Sequence, residues 1–254
     1  ENARFVARLP LTQGRDTPDP VWSSDLFPTN VYDASLAQIG DTVLLGVADE
    51  VWALDAATGA RSWTAPLPDK VSAGCATCFA VFDDTLVVVT EDDQVHAYGT
   101  ASATPRWTRR LESPSARVVE SDAGVVVSDQ DPAKPGTQLI TVLDPASGAP
   151  RSALSPTCPG RDGGFPTTMN FADSVLAVPG SPDLVGSISF GGTCLVRWDG
   201  TTGQVRWTTT AEAGGSLDDD DALITADRLF APTADGAMLS VDLATGGSTR
   251  LALP

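Results

Sequence analysis

The chain has 254 residues, 42% hydrophobic and 19% charged, with 23 glycines and 19 prolines, a composition that supports a substantial core and many turns and argues against disorder. A net charge of −17 argues against nucleic-acid binding, because neutralising a phosphate backbone takes clustered Lys and Arg. No apolar run approaches the roughly 18 to 20 residues of a membrane-spanning helix, and no basic-then-apolar leader is present. The sequence starts at Glu1, so membrane attachment is expected only through a segment outside this chain. Four cysteines in an acidic chain point to an oxidising, extracytoplasmic setting: secreted, cell-surface or the ectodomain of a membrane-anchored protein.

A repeated segment runs along the chain. A degraded copy in residues 6–14, aligned on Gly14, is followed by Val21 and Trp22. A full copy carries Asp55, Thr58, Gly59 and Trp63. The next, in 95–107, keeps Trp107 but has Gly99 and Ala103 where Asp and Gly belong. The copy in 140–152 carries Asp144, Ser147 and Gly148; that in 195–207 carries Asp199, Thr202, Gly203 and Trp207; the last carries Asp242, Thr245 and Gly246. The anchors at 10, 55, 99, 144, 199 and 242 are 45, 44, 45, 55 and 43 residues apart. That is the period of one four-stranded propeller blade.

Short β-branched runs lie upstream of each full anchor, at 42–47, 85–90, 124–128, 175–178 and 228–231. They read as the second strands of blades. Less regular inner strands are expected near 32–39, 76–82, 117–120, 168–171 and 223–225. The expected fold is all-β: a β-propeller of four-stranded antiparallel blades, five complete and preceded by an N-terminal partial repeat. A six-repeat array lacking two strands is the alternative. Blades are expected near 31–67, 68–111, 112–155, 156–211 and 212–254, with the partial repeat in 1–30, as a single domain over 1–254.

The motif has a physical logic. An Asp side chain accepts hydrogen bonds from the N–H groups that follow it, and Gly supplies the positive φ that closes the turn. The expected structural set is Asp55, Gly59, Asp144, Gly148, Asp199, Gly203, Asp242 and Gly246, with Trp22, Trp63, Trp107 and Trp207 packing their indoles on neighbouring blades. The pattern Asp55-x-x-Thr58-Gly59-x-x-x-Trp63 resembles the tryptophan-docking repeat of PQQ-dependent alcohol dehydrogenases and of the related propeller lipoproteins of outer-membrane barrel assembly. The resemblance spans essentially the whole chain, fully in two repeats and partially in four. It implies blades and docking, and does not by itself imply a cofactor.

Candidate chemistry is sparse. His96 is the only histidine, so a nucleophile–His relay or a mixed His/Cys zinc site would rest on it alone. Cys75 and Cys78 form a Cys-x-x-Cys in an inner-strand region, and Cys158 and Cys194 flank the longest insertion. Structural disulfides Cys75–Cys78 and Cys158–Cys194 are the preferred pairing, each within one repeat. Asp218, Asp219, Asp220 and Asp221 form an acidic run that offers calcium its oxygen ligands, although a solvated turn is the plainer reading. PQQ is disfavoured, since four of the six tryptophans are assigned to docking, and no cofactor is expected. The functional expectation is a non-catalytic, extracytoplasmic protein-interaction or structural ectodomain with a protein partner. A small-ligand sensor domain and a PQQ-dependent dehydrogenase are the alternatives.

Overall fold

The computed structural model describes residues 5–8, 21–25, 34–71, 78–112, 117–133, 138–155, 175–189, 193–211, 222–233 and 236–252. Among them all regular structure is β-strand, and no helix is long and apolar enough to cross a membrane. The chain divides into two compact units, Glu1–Arg110 and Leu111–Pro254.

The first unit opens with an antiparallel pair, β1 (Phe5–Arg8) and β2 (Trp22–Asp25), in register Phe5↔Asp25 to Arg8↔Trp22. Blade one follows as β3 (Ala34–Ile39), β4 (Thr42–Val47), β5 (Glu50–Asp55) and β6 (Arg61–Pro66). Blade two is β7 (Phe79–Phe82), β8 (Thr85–Thr90), β9 (Gln94–Gly99) and β10 (Pro105–Arg110).

The second unit holds three blades. Blade three is β11 (Arg117–Ser121), β12 (Gly124–Gln130), β13 (Gln138–Leu143) and β14 (Pro150–Leu154). Blade four is β15 (Val175–Ala177), β16 (Asp183–Ser189), β17 (Thr193–Asp199) and β18 (Val205–Ala211). Blade five is β19 (Leu223–Ile224), β20 (Arg228–Pro232), β21 (Ala237–Asp242) and β22 (Ser248–Ala252). Every sheet is a meander in which consecutive strands pair antiparallel. The fold is therefore all-β, with five four-stranded propeller blades and an N-terminal two-stranded piece.

The sequence explains which strands are buried. Thr85-Leu-Val-Val-Val-Thr90 is buried at all six positions, since a second strand has apolar neighbours on both faces and needs no polar side. Outer strand β10 alternates between exposed and half-buried residues from Arg106 onward. The core lies in slabs between blades. Leu44, Val51 and Ala53 meet Leu86, Val88 and Tyr98. In the second unit, Val126 and Ile140 meet Leu184 and Trp198, while Val185 and Leu195 meet Leu229 and Val241. Each buried aliphatic side chain contributes roughly 1.5 to 3 kcal/mol, so a blade is held chiefly by its neighbours.

One strand assignment is corrected. The run at 175–178, read from sequence as the second strand of blade four, contains its innermost strand; the second strand is Asp183–Ser189. A tight turn at Gly180, with φ +69°, joins the two, closed by the Val178 N–H donating to the Asp183 carbonyl at 3.0 Å. Residues 168–171, expected to form the inner strand, lie outside the described residues. The long spacing between the third and fourth full anchors thus accumulates ahead of blade four.

Candidate functional site: the docking seams

The turns come first, because they build the surface on which the next side chain lands. Asp55 Oδ1 accepts the N–H of Ala57 at 3.0 Å, the N–H of Thr58 at 2.8 Å and the Thr58 hydroxyl at 2.8 Å. Asp144 repeats the set with Ala146 and Ser147. Asp199 accepts from the N–H groups of Thr201 and Thr202, and Asp242 from the N–H and hydroxyl of Thr245. In all four, the Gly N–H donates to the Asp carbonyl at 2.8 Å, and Gly59, Gly148, Gly203 and Gly246 have φ between +69° and +73°. Blade two lacks the Asp and its turn is shifted: the Ser102 N–H donates to the Gly99 carbonyl at 3.3 Å.

Onto these turns the tryptophans dock. The Trp22 indole N–H donates to the Ala56 carbonyl at 2.9 Å, Trp63 to Thr100 at 3.2 Å and Trp207 to Leu243 at 2.7 Å. Each acceptor is the residue directly after the anchor of the following blade. The rings lie so close over the turn that a Cβ on Gly59 would stand 2.5 Å from Trp22, and one on Gly246 2.9 Å from Trp207. Glycine is thus required both for its φ and for its missing side chain. Trp107 stands half-buried on β10.

Blade three has Ser152 at the tryptophan position, and its hydroxyl donates to the Gly200 carbonyl. The acceptor position is unchanged while the indole is lost. Ser152→Ala should cost about 1 kcal/mol, the usual net worth of one hydrogen bond, measured by denaturant unfolding.

A further element recurs where the outer strands begin. In blades one to four the pairing of the third and outer strands slips at one place, passing over Ser62, Arg106, Arg151 and Arg206 in turn. A bulge re-aims the residue beside it. Here it sends one side chain back onto its own blade and, in blades one, three and four, leaves the next to cross the seam. The Ser62 hydroxyl donates to the Ala53 carbonyl. Arg106 grips Asp84 with both terminal nitrogens, at 2.7 and 2.6 Å. Arg151 donates to the Ala123 carbonyl and pairs with Asp144, and Arg206 pairs with Asp199 at 2.8 Å. Blade five has no such slip. The signal was present as Arg-Trp, Arg-Ser and Arg-Trp at 106–107, 151–152 and 206–207.

The seam between blades four and five adds a buried ion pair. Asp183, 4% exposed, takes two bonds from Arg197, Nε at 2.8 Å and a terminal nitrogen at 2.6 Å. The other terminal nitrogen of Arg197 reaches the Leu243 carbonyl. That carbonyl therefore receives both Arg197 and Trp207 from blade four.

These contacts set the acid response. Hydrogen bonds from Thr58, Ser147, the Thr202 N–H and Thr245 hold Asp55, Asp144, Asp199 and Asp242 below the ordinary 3.8. Arg106 pulls Asp84 down to about 2. A carboxylate whose folded pKa is lowered stabilises the fold fully above its unfolded value and loses that contribution as pH falls towards its folded one. The denaturation midpoint should therefore decline below about pH 4 towards pH 2. Asp55→Asn should flatten that decline and leave the profile above pH 5 unchanged in shape.

His96 lies on β9 with its Nδ1 3.1 Å from the Thr108 hydroxyl. Cys78 and Cys194 are disulfide-bonded; Cys75 and Cys158 lie outside the described residues, as do Asp218, Asp219, Asp220 and Asp221. Among the described residues no group of three His, Cys, Asp or Glu side chains is arranged to hold a metal ion.

A family model described as outer membrane protein assembly factor BamB, built on a PQQ-like repeat, matches residues 47–151 and 136–249. The chain belongs to this PQQ-like repeat family. No curated protein matches it. Among solved structures, it is similar to BamB from Moraxella catarrhalis, with TM-score 0.60 and 18% identity over 92% of this chain and 68% of that one. It is also similar to the quinohemoprotein alcohol dehydrogenase ADHIIG from Pseudomonas putida HK5, with TM-score 0.58 and 16% identity over 86% of this chain and 41% of the enzyme. The computationally designed Ika8 protein matches with TM-score 0.59 and 15% identity, over 91% of this chain and 64% of the design. One blade architecture thus serves an assembly factor, an oxidoreductase and a design, and family membership carries blades rather than chemistry.

Proposed function

We propose that this chain acts as a non-catalytic, extracytoplasmic protein-interaction or structural propeller, working as one domain over 1–254 and needing neither PQQ nor calcium. The observation that carries this reading is the use to which the family's signature residues are put. Asp55, Gly59, Trp63, Asp199, Gly203, Trp207, Asp242 and Gly246 all serve turns and seams. The family model's description as an assembly factor supports a protein partner. An oxidising compartment is supported by the disulfide-bonded Cys78 and Cys194, and we assign the pairs as Cys75–Cys78 and Cys158–Cys194. Peptide mapping without reduction should recover those two linked pairs; any cross-repeat pair would overturn the assignment.

The functional reading is tested by loading the purified chain with PQQ and calcium and following dye reduction in the presence of primary alcohols. No turnover above a protein-free control is expected. Cofactor-dependent turnover would sink the proposal.

A further inference from the structure

His96 is the sole histidine of the chain, and it is 5% exposed. Register places it in one row with Phe79, Val88 and Thr108. Residues directly opposed across an antiparallel sheet share a face. Phe79 and Val88 pack against Leu44 and Val51 of blade one, so His96 also faces the seam between blades one and two. Its Nδ1 meets the Thr108 hydroxyl, while its Nε2 is buried with no hydrogen-bond partner among the described residues. The same seam is held by Trp63 on the Thr100 carbonyl.

The charges around it do not prepare the site for a cation. Strands β7, β8 and β4 carry no charged residue. On β10, Arg106 is committed to Asp84, and Arg110 stands opposite Gln94, two residues along β9 from His96. From blade one, Glu50 is held by the Trp52 indole, Asp55 by its own turn, and Arg61 lies over Trp52. Asp69 and Lys70 lie in the loop after β6. The Tyr98 ring, 6.5 Å away, is kept neutral by burial, which pushes its hydroxyl up. Asp92, in the turn before β9, is the carboxylate whose field reaches the imidazole, and it already binds Thr90 and Gln94.

We propose that His96 is a single-proton acid switch for the seam between blades one and two: the neutral ring fits the buried row, and the imidazolium must open it to reach water. Burial pushes the ring below its ordinary 6.5, against a smaller upward pull from Asp92. A base with a lowered folded pKa leaves the unfolded chain binding more protons below pH 6.5, so stability is complete above that pH and falls with acidification. One proton raises the unfolding constant by at most about tenfold per pH unit. The described carboxylates that shift do so downward, so among the described groups with a shift the interval from pH 6.5 to 4.5 belongs to His96.

The full chain tests this directly. With one histidine, its Cε1–H resonance is unambiguous, and its titration midpoint should lie well below 6.5. The unfolding constant in denaturant should rise towards tenfold per unit below pH 6.5 and stay level in His96→Gln. Hydrogen exchange corrected for intrinsic rates should show β5, β6 and β9 losing protection between pH 7 and 5 while blades four and five keep theirs. A midpoint at or above 6.5, an equal slope in the variant, or a uniform loss of protection overturns the proposal. Should the variant fail to fold, the resonance and the exchange pattern of the unmodified chain decide.

Discussion

Asp183→Asn should destabilise the chain by about 3 kcal/mol, the lower end of the cost of breaking a buried ion pair from one side. The Asp183 side chain is 6% exposed and that of Arg197 16%, so neither charge is well compensated by water. Removing the carboxylate strands a guanidinium between β16 and the Leu243 carbonyl; Arg206, whose Nε lies 3.6 Å from Asp183, loses its second partner as well. The paired change Asp183→Leu with Arg197→Met should recover most of the loss, because apolar side chains of similar size can replace a buried pair at little cost. Trp207 still holds the Leu243 carbonyl in that double variant. Denaturant unfolding of the three proteins decides the matter. A loss below about 1 kcal/mol for the single change would mean that the pair is screened like a surface bridge.

Trp207→Ala should cost about 3 kcal/mol, since a large indole leaves the slab formed with Leu229, Leu239 and Val241 and the vacated space collapses only partly. Trp207→Phe separates the parts: the ring stays and the N–H bond goes, at about 1 kcal/mol. The receiving side should be equally sensitive. Gly246→Ala meets both the φ of +73° and the Trp207 ring 2.9 Å from the new Cβ, for a combined cost of about 2 kcal/mol. Gly203→Ala meets no tryptophan, since Ser152 stands there and the nearest atom is 3.4 Å away; it should show the backbone cost alone, about 1 kcal/mol. The difference between the two glycine variants, read by thermal or urea unfolding, isolates the contribution of ring contact.

The blades could be read from sequence because their signal is local. An Asp, a Thr and a Gly within five residues complete their own hydrogen bonds, so the motif survives wherever the turn does. Within blade four the innermost strand reads from sequence as the second, because the short apolar run at 175–178 outweighs Asp183–Ser189, whose Gly186 and Ser187 dilute its pattern. Spacing would have corrected it. Asp183 precedes its anchor Asp199 by 16 residues, close to the 13 between Thr42 and Asp55, whereas Val175 precedes it by 24. The seams were half visible. Tryptophan donors announce themselves, but the acceptors are main-chain carbonyls at Ala56, Thr100, Gly200 and Leu243, which leave no trace in residue identity. The bulges at Ser62, Arg106, Arg151 and Arg206 are matters of register, marked in the sequence only by the Arg that precedes Trp107, Ser152 and Trp207.

Those carbonyl acceptors have a consequence for how such a chain grows. Since Ala, Thr, Gly and Leu all serve at the receiving position, the donor of one blade reads the main chain of its successor there, and a tryptophan docked over the turn, as Trp22 and Trp207 are, asks in addition only for the glycine of that turn. Any copy with the turn presents the same oxygen. A duplicated gene segment of one period that keeps the turn and its glycine therefore meets its new neighbour's donor with no change at the receiving residue, and arrays of differing blade number are open to descent by unequal crossing-over.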